Sequence, residues 1–536
     1  MPVLTGIDIL GVQRFVFSSN RLQDVVGGSF LVHWATAADG ALRDLVSGGN
    51  ILLAAGGNAI LEFSAIDKAR VFAARYSRRI YDKAPGLEVV IRHRNYESGG
   101  LAQALQDVQI DLAKMKKDRL PSVPLLGLSV TASCAETGLP ATEFNPSDSK
   151  PQDTAQGILS DNIWMRREQS ELVKGYWQEF LKDGQDSQFD FPSELDQLGR
   201  DKGDTSLIGV VHVDGNGVGQ KIKDWLSAQV DEKKDDEIVG KDYHKWSHSI
   251  DQLGQKALQA VVDRIVQSVD KSKFEEKAPL CGTPERLGFK LNKEKKSGKW
   301  MLPLRPVLLG GDDLTFICDG RIALDLAKTA LGVFEGSDIP HLGSISASAG
   351  VAIVGVHFPF ARAYELAEKL CSSAKQKLKE TTSSGCALDW HIGIARPGKT
   401  VNDIRKKHYQ SNGTSRLTCR PYILGTGKDE EETWRWLSGT LLDDPHCGIR
   451  GEVWSDHRSK VKAFAGLVHE GTVIVNSSLD AWRKVDDKLR LPDPIDHDGF
   501  IAASRTPVLD AVELVDLHLV LKDAGEEEGS KPEVKQ

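Results

Sequence analysis

The chain has little that would carry it into a membrane. Nowhere do about 18 apolar residues follow one another, and the longest candidate, "ISASAGVAIVGVHFPFA" at 345–361, is broken by serine, histidine and proline. The opening "MPVLTGIDIL" has no basic stretch and carries an acid inside its apolar run, which argues against a secretory leader. Cysteine is scarce: seven residues, an odd number with no CxxC pair. That usage suggests a reducing compartment, and the expected setting is cytoplasmic. Excess positive charge is lacking too. Against 68 Lys and Arg stand 76 Asp and Glu, a net charge of −8, so nothing global announces nucleic acid. Basic clusters exist only locally, in "KMKKDR" at 114–119, "KLNKEKKSGKW" at 290–300 and "RKKHY" at 405–409, and each reads more simply as a solvated face.

What the sequence does have is length and an internal repeat. Its 536 residues exceed one ordinary core, so about two to four domains are expected. Near the start stands "TGIDILGVQRFVF" and near the middle "GVVHVDGNGVGQKI". Both run an apolar strand into an aspartate and then Gly-Val: Asp8 with Gly11 and Val12, Asp214 with Gly217 and Val218. Two hairpin signals follow, "ILLAAGGNAILEF" at 51–63 and "PVLLGGDDLTFIC" at 306–318, each with β-rich runs about a Gly-Gly pair. After each hairpin come a helical pattern (Ala69, Phe72, Tyr76, Ile80; Leu324, Ala327, Leu331, Phe334), a strand, and a second helical pattern (Leu101, Leu105, Val108, Leu112; Leu366, Leu370, Ala374, Leu378). Both copies close on strand-like text, at 122–133 and 385–395. The order predicts a duplicated ferredoxin-like or palm-type unit in an α+β chain.

The chemistry concentrates in the second copy. Asp214 ends a strand, and if the Gly310-Gly311-Asp312-Asp313 hairpin is its neighbour, strands about 4.8 Å apart bring three carboxylates together. Such a sparse oxygen cluster suits two Mg²⁺ or Mn²⁺ ions that activate a ribose hydroxyl and neutralise a pyrophosphate leaving group. The glycines admit a triphosphate close to the backbone, and the helix start at Gly215, Asn216, Gly217 and Gly219 offers amides to phosphate. Lys375 either reaches phosphate from its helix or is an ordinary solvated lysine. Taken alone, Gly-Gly-Asp-Asp is also what an ordinary turn favours, and Asp214 could be a helix cap. Their order within a duplicated unit favours catalysis. The first copy, matched glycine to glycine, has Asn58 and Ala59 where the second has Asp312 and Asp313. It keeps Gly56, Gly57 and Asn58 as a possible nucleotide pocket without the acids for metal chemistry.

With these landmarks, together with "GVQRFVFSSNRL" at 11–22, "SAGVAIV" at 348–354 and "LDAVELVDLHL" at 509–519, the chain resembles the polymerase/cyclase large subunit of type III CRISPR effector complexes. The resemblance implies two palm domains related to GGDEF-type cyclases, arranged as an intramolecular pseudo-dimer. It implies ATP as substrate, cyclic oligoadenylate as product, and activation by target RNA in a complex with guide RNA and other effector subunits. Asp214, Asp312 and Asp313 take the place of the metal ligands. The expected organisation is a degenerate first palm at 1–135, a mainly helical connector at 136–200, a catalytic second palm at 201–395, a helical C-terminal domain at 396–523 and a disordered tail at 524–536.

Three departures qualify the resemblance. The first palm starts at residue 1, where many members carry an HD nuclease domain, and the His497-Asp498 dipeptide sits in proline-rich text, so DNA cleavage is not expected. The place of a four-cysteine zinc ribbon retains only Cys134, so zinc is not expected. Asn216 stands where a second acid is frequent. An inactive scaffold subunit of a CRISPR ribonucleoprotein, or a stand-alone cyclic-nucleotide synthase in antiviral defence, would fit the same residues.

Overall fold

The computed structural model describes all residues except 47–48, 119–126, 146–156, 183, 200–205, 275–277, 382–384, 394–399, 412–414, 426–429, 503 and 525–536. Two sheets built on one plan organise it. The first is formed by β1 (Val3–Leu10), β2 (Gly49–Ala55), β3 (Asn58–Phe63) and β4 (Glu88–Asn95), in spatial order β2-β3-β1-β4. Its helices are α1 (Val12–Val16), α2 (Leu22–Thr36), α3 (Ile66–Lys83) and α4 (Leu101–Asp118). Helix α3 shows why the repeat was readable. Ala69, Phe72, Tyr76 and Ile80 are its buried residues, spaced three or four apart, so one stripe faces the sheet.

Helices α5 (Asp161–Glu168) and α6 (Ser170–Gln178) follow in the connector. The second sheet takes β5 (Leu207–Gly215), β6 (Leu304–Gly310), β7 (Asp313–Asp319) and β8 (Ala347–Gly355) in the order β6-β7-β5-β8, the same permutation as the first. Its helices are α7 (Val218–Asp231), α8 (Asp236–Gln267), α9 (Ala323–Phe334) and α10 (Phe360–Glu380). Two further strands extend it: β9 (Ala387–Ile392), parallel to β8, and β10 (Tyr422–Ile423) from the C-terminal region. The likeness reaches the irregularities. Both first hairpin strands slip register once, between Ile51 and Leu53 and between Pro306 and Leu308.

The two units touch through matched elements. Helix α1 meets α10, where Phe17 stacks on Tyr364 at 4.7 Å and Gln13 donates to Glu368 Oε1 at 2.9 Å. Reciprocally α7 meets α4, where Gln106 donates to Ser227 Oγ at 2.9 Å. The hairpin tips also meet: a Cβ on Gly310 would lie 2.8 Å from Gly56 Cα, so only glycine permits that approach. Helix α8 packs against strands of both sheets, β2 and β6. Residues 228–245, rich in Asp, Glu and Lys, form the end of α7 and the start of this long helix. The described residues 278–300 fold back on the body, with Trp300–Met301 pairing with Phe189–Asp190 and Gly282–Thr283 with Val520–Leu521.

The strand expected at 122–133 does not form in its described part. Residues 127–133 are exposed and hold only a turn and a bridge from Ser133 to Pro140. Pro124 in that text has no amide to give a ladder, whereas β9 closes the second unit without proline. Residues 122–126, and nearly all of the expected tail, lie outside the described residues. Between 143 and 190 the connector mixes α5 and α6 with two-residue strands. Beyond β10 the described segments are mainly helical, with Trp454, Phe464 and Trp482 packed ring against ring. No described helix is long and apolar enough to cross a membrane.

Candidate active site

Strand alternation sets the site. On β5, His212 and Asp214 point to one face, and their cross-strand partners on β7 are Thr315 and Asp313. On the other side Asp214 pairs in register with Ser348 of β8. Helix α10 lies across this face and contributes Tyr364, Glu368, Cys371 and Lys375, one stripe at helical spacing. The sequence-derived acids therefore do come together: Asp214 and Asp313 are direct neighbours, and Asp312 sits in the turn between β6 and β7. The Asp312 carbonyl accepts from the Gly215 amide at 3.2 Å, and a Cβ on Gly215 would lie 2.4 Å from Asp312 Oδ2.

Each acid has a distinct environment. Lys375 Nζ donates to Asp214 Oδ2 at 2.5 Å and to the Gly215 carbonyl at 2.8 Å. Lys375, its side chain about a quarter exposed, thus clamps Asp214 in this structure. Asp313 lies 3.3 Å from His212 Nδ1, which also meets Thr315 Oγ1 at 3.1 Å. Burial pulls the His212 pKa down, but Asp313 and Asp214 outweigh it and hold the imidazole above its ordinary value. Asp312 is half-buried, and its pKa is pushed up to about 6 by burial and by the charges of Asp214 and Asp313, against Lys375. Asn216 is a structural clip. It donates to Ser346 Oγ at 3.1 Å and accepts from Ser348 Oγ at 2.9 Å, fastening the start of α7 to β8.

A cavity of about 530 Å³ opens beside these groups, between the two units. Gly310, Gly311, Asp312 and Asp313 line it from one hairpin, Gly56, Gly57 and Asn58 from the other, and Gly219 and Lys223 from α7. A Cβ on Gly217 or Gly219 would meet nothing within 4 Å, so a ligand can approach that helix start without a side chain in the way. Helix α8 closes the floor, where a Cβ on Gly254 would lie 2.1 Å from the Gly311 carbonyl oxygen. Gly254 thus fixes the distance between α8 and the hairpin.

Oxygen ligands at Asp214, Asp312 and Asp313 suit a hard divalent cation. His212, Asp214 and Cys371 also offer atoms within 4.8 Å of one another. Cys371 is a poor ligand there, because burial pushes its thiol well up and Sγ donates to the Ser348 carbonyl at 3.1 Å. Sequence reasoning missed His212, Tyr364 and Cys371. His212 carried one signal, its place two residues before Asp214 on the same strand face.

The pairing corrects the match between copies. Asp8 pairs with Asn58 as Asp214 pairs with Asp313. Ile9 donates to the Gly57 carbonyl as Gly215 does to that of Asp312. Asn58 therefore replaces Asp313 and Gly57 replaces Asp312, one residue off the glycine-to-glycine match, because the first turn is Gly56-Gly57 and the second Gly311-Asp312. His497 and Asp498 lie in a turn where Asp498 accepts from the Phe500 amide at 2.9 Å.

No protein-family model matches the chain, and no curated protein does. Among solved structures it is similar to a chain of a Csm1–Csm4 cassette in complex with one ATP (TM-score 0.54, 13% identity, covering 96% of this chain and 70% of that one). It is also similar to a chain of the cassette in complex with AMPPNP (TM-score 0.51, 14% identity, 96% and 69%). A third, in complex with cA3, gives a TM-score of 0.50 at 12% identity over 96% and 69%. At these identities the likeness is one of fold.

Proposed function

We propose that the second unit is a nucleotidyl-transfer site that converts ATP into cyclic oligoadenylate, within a subunit resembling the large subunit of type III CRISPR effectors. The observation that carries this is the in-register pairing of Asp214 with Asp313, beside Asp312, at a cavity lined by both glycine hairpins. The ATP, AMPPNP and cA3 of the Csm1–Csm4 cassettes support the substrate and product class. The two units, assigned to 1–135 and 201–395, act as an intramolecular pseudo-dimer of palm domains that brings two nucleotides together at the meeting hairpins.

In the reaction a ribose hydroxyl of one nucleotide attacks the α-phosphorus of another. A new P–O bond forms, the bond to pyrophosphate breaks, and the hydroxyl proton leaves to water. Asp214, Asp312 and Asp313 would hold Mg²⁺ or Mn²⁺, which when bound would supply activation of the hydroxyl and screening of the leaving pyrophosphate. The Gly217 and Gly219 region supplies backbone close to phosphate. Lys375 and His212 balance the carboxylates before substrate arrives. Partner effector subunits and a guide RNA complete the assembly, and target RNA activates it.

The test is mass spectrometry of products from ATP with Mg²⁺ or Mn²⁺, with and without co-purified RNA and partners, beside Asp312→Ala/Asp313→Ala. Cyclic oligoadenylate that disappears in the variant is expected. Its dependence on RNA separates a complex subunit from a stand-alone synthase. No product from an assembled, target-bound complex with any nucleotide would leave a silent scaffold.

A further inference from the structure

Away from the hairpins, a second cavity of about 250 Å³ lies where α2, α5, α6 and β6 converge. Two arginines line it from deep inside the protein. Arg305, on β6 opposite Ile317, is 6% exposed, and Arg166, on α5, is 1% exposed. Neither is within ion-pair distance of a carboxylate among the described residues. Arg305 has no hydrogen-bond acceptor among them, and its Nε is fully buried; its guanidinium merely lies 5.9 Å from the Phe191 ring. Arg166 donates to the Phe15 and Val16 carbonyls at 2.5 and 3.5 Å and leaves Nε unpartnered. Burial pulls both guanidinium pKa values down to about 10, outweighing the opposing charges of Asp190 on Arg305 and of Asp24 on Arg166. Asp190 and Asp24 are engaged by Lys174 and Arg167; a buried cation with no anion in direct contact is costly, and a guest that supplies one lowers the cost.

The other cations at this cavity are already matched. Arg167 is bound by Asp24 at 2.7 Å and by Glu136 at 3.5 Å, and Lys174 by Asp190 at 3.2 Å. Glu171 is exposed at the mouth, and Glu294 accepts from Ser297 at 2.5 Å. Those rim carboxylates disfavour an extended polyanion such as an RNA backbone, while the interior favours a compact one. Gln197 accepts two backbone amides through Oε1, at 2.9 and 3.2 Å, which leaves its Nε2 as a donor toward a guest. Guanidinium forks suit tetrahedral oxyanions.

We propose that the cavity between Arg305 and Arg166 binds a small oxyanion, inorganic phosphate or a phosphomonoester. Occupancy would bridge the connector to β6, the strand that runs into the Gly310 hairpin. Binding at this cavity is independent of what the hairpin does.

Calorimetric titration and thermal melting of the full chain test it, at constant ionic strength and with EDTA present to remove divalent ions. One arm uses inorganic phosphate and a second glycerol 3-phosphate. Saturable binding with a raised melting midpoint is expected for phosphate in the wild type, and binding in the second arm would extend the site to esters. Arg305→Gln should abolish it. Ser193→Glu, an exposed rim substitution that leaves the core intact, should weaken it about tenfold by adding like charge at the mouth. Absence of saturable binding by the wild type, or wild-type affinity in Ser193→Glu, would overturn the proposal even if Arg305→Gln does not fold.

Discussion

The two units share a scaffold and one ion pair, and differ in almost everything around it. Lys116 of α4 lies 2.5 Å from Asp8, as Lys375 of α10 lies 2.5 Å from Asp214. Carried along the same registers, His212 becomes Gly6, Thr315 becomes Ile60, Tyr364 becomes Leu105, Glu368 becomes Gln109 and Cys371 becomes Leu112. The hairpin acids become Gly57 and Asn58. The acid–lysine pair is therefore a clamp between strand and helix that the architecture uses twice. The polar ring and hairpin carboxylates are what the second unit adds, and on the proposed function they are where the chemistry would be placed.

The sharpest way to break this contrast is at the hairpins. Asp312→Ala with Asp313→Ala is expected to cut nucleotide turnover by more than about 10³-fold, with an unchanged circular dichroism spectrum. The reverse graft, Gly57→Asp with Asn58→Asp, should create no second activity when the variant carries alanine at 312 and 313. Gly57 sits at φ +77°, and Gly6, Ile60 and Leu112 supply no polar partners. Turnover in that graft would show that hairpin acids alone suffice.

A smaller effect should follow from the floor of the site. In Gly254→Ala the new Cβ would press on the Gly311 carbonyl, moving the hairpin without removing an acid. A loss of about 10- to 100-fold in turnover and about 1–3 kcal/mol in stability is expected, read by product assay and chemical denaturation. An unaffected enzyme would mean that hairpin position is not limiting.

pH separates the units next. Asp312, pushed up to about 6, is protonated below that pH, and a divalent cation must displace the proton. Mn²⁺ binding measured by electron paramagnetic resonance should weaken as pH falls through about 6, by at most about tenfold per pH unit. The stability sign is opposite. A carboxyl whose folded pKa is raised favours the fold while protonated, and that contribution disappears as pH rises through about 6. Asp312→Asn should therefore melt higher than wild type at pH 7.5 and much the same at pH 4.

Much of this contrast was legible in the sequence. Asp214 and the 310–313 hairpin could be placed together because an apolar strand ending in Asp, and a Gly-Gly pair between β-rich runs, are local signals. The one-residue error between copies arose because both hairpins show Gly-Gly, while the turn itself falls on Gly56-Gly57 in one and Gly311-Asp312 in the other. Only the ladder to β1 and β5 fixes that register. Cys371 and Tyr364 were invisible as site residues because on α10 they read as ordinary buried helix positions. Their meeting with Asp214 depends on how α10 crosses β8. The buried Arg305 gave no signal either, since one arginine among apolar strand residues predicts nothing until its lack of an acceptor is seen.

The clamp supplies the finest test, because it is where the units agree. Lys116→Met leaves Asp8, which is 7% exposed, without its cation, and burial already raises the Asp8 pKa against the pull of Lys116. Removing that partner should cost about 1 kcal/mol in denaturant unfolding, the side chain of Lys116 being 44% exposed and the pair correspondingly screened. Lys375→Met should cost a similar amount, since Asp214 is more open but Lys375 also holds the Gly215 carbonyl. The two variants should part only in turnover. Lys375→Met frees Asp214 and lets Asp312 and Asp214 repel without a nearby cation, so activity falls and its Mg²⁺ dependence shifts. Lys116→Met should leave turnover within about threefold of wild type if, as proposed, the first unit positions the site without supplying reacting acids. If Lys116→Met silenced the enzyme while the fold held, the Asp8–Lys116 pair would belong to the nucleotide site, and the first unit would be a working half of it.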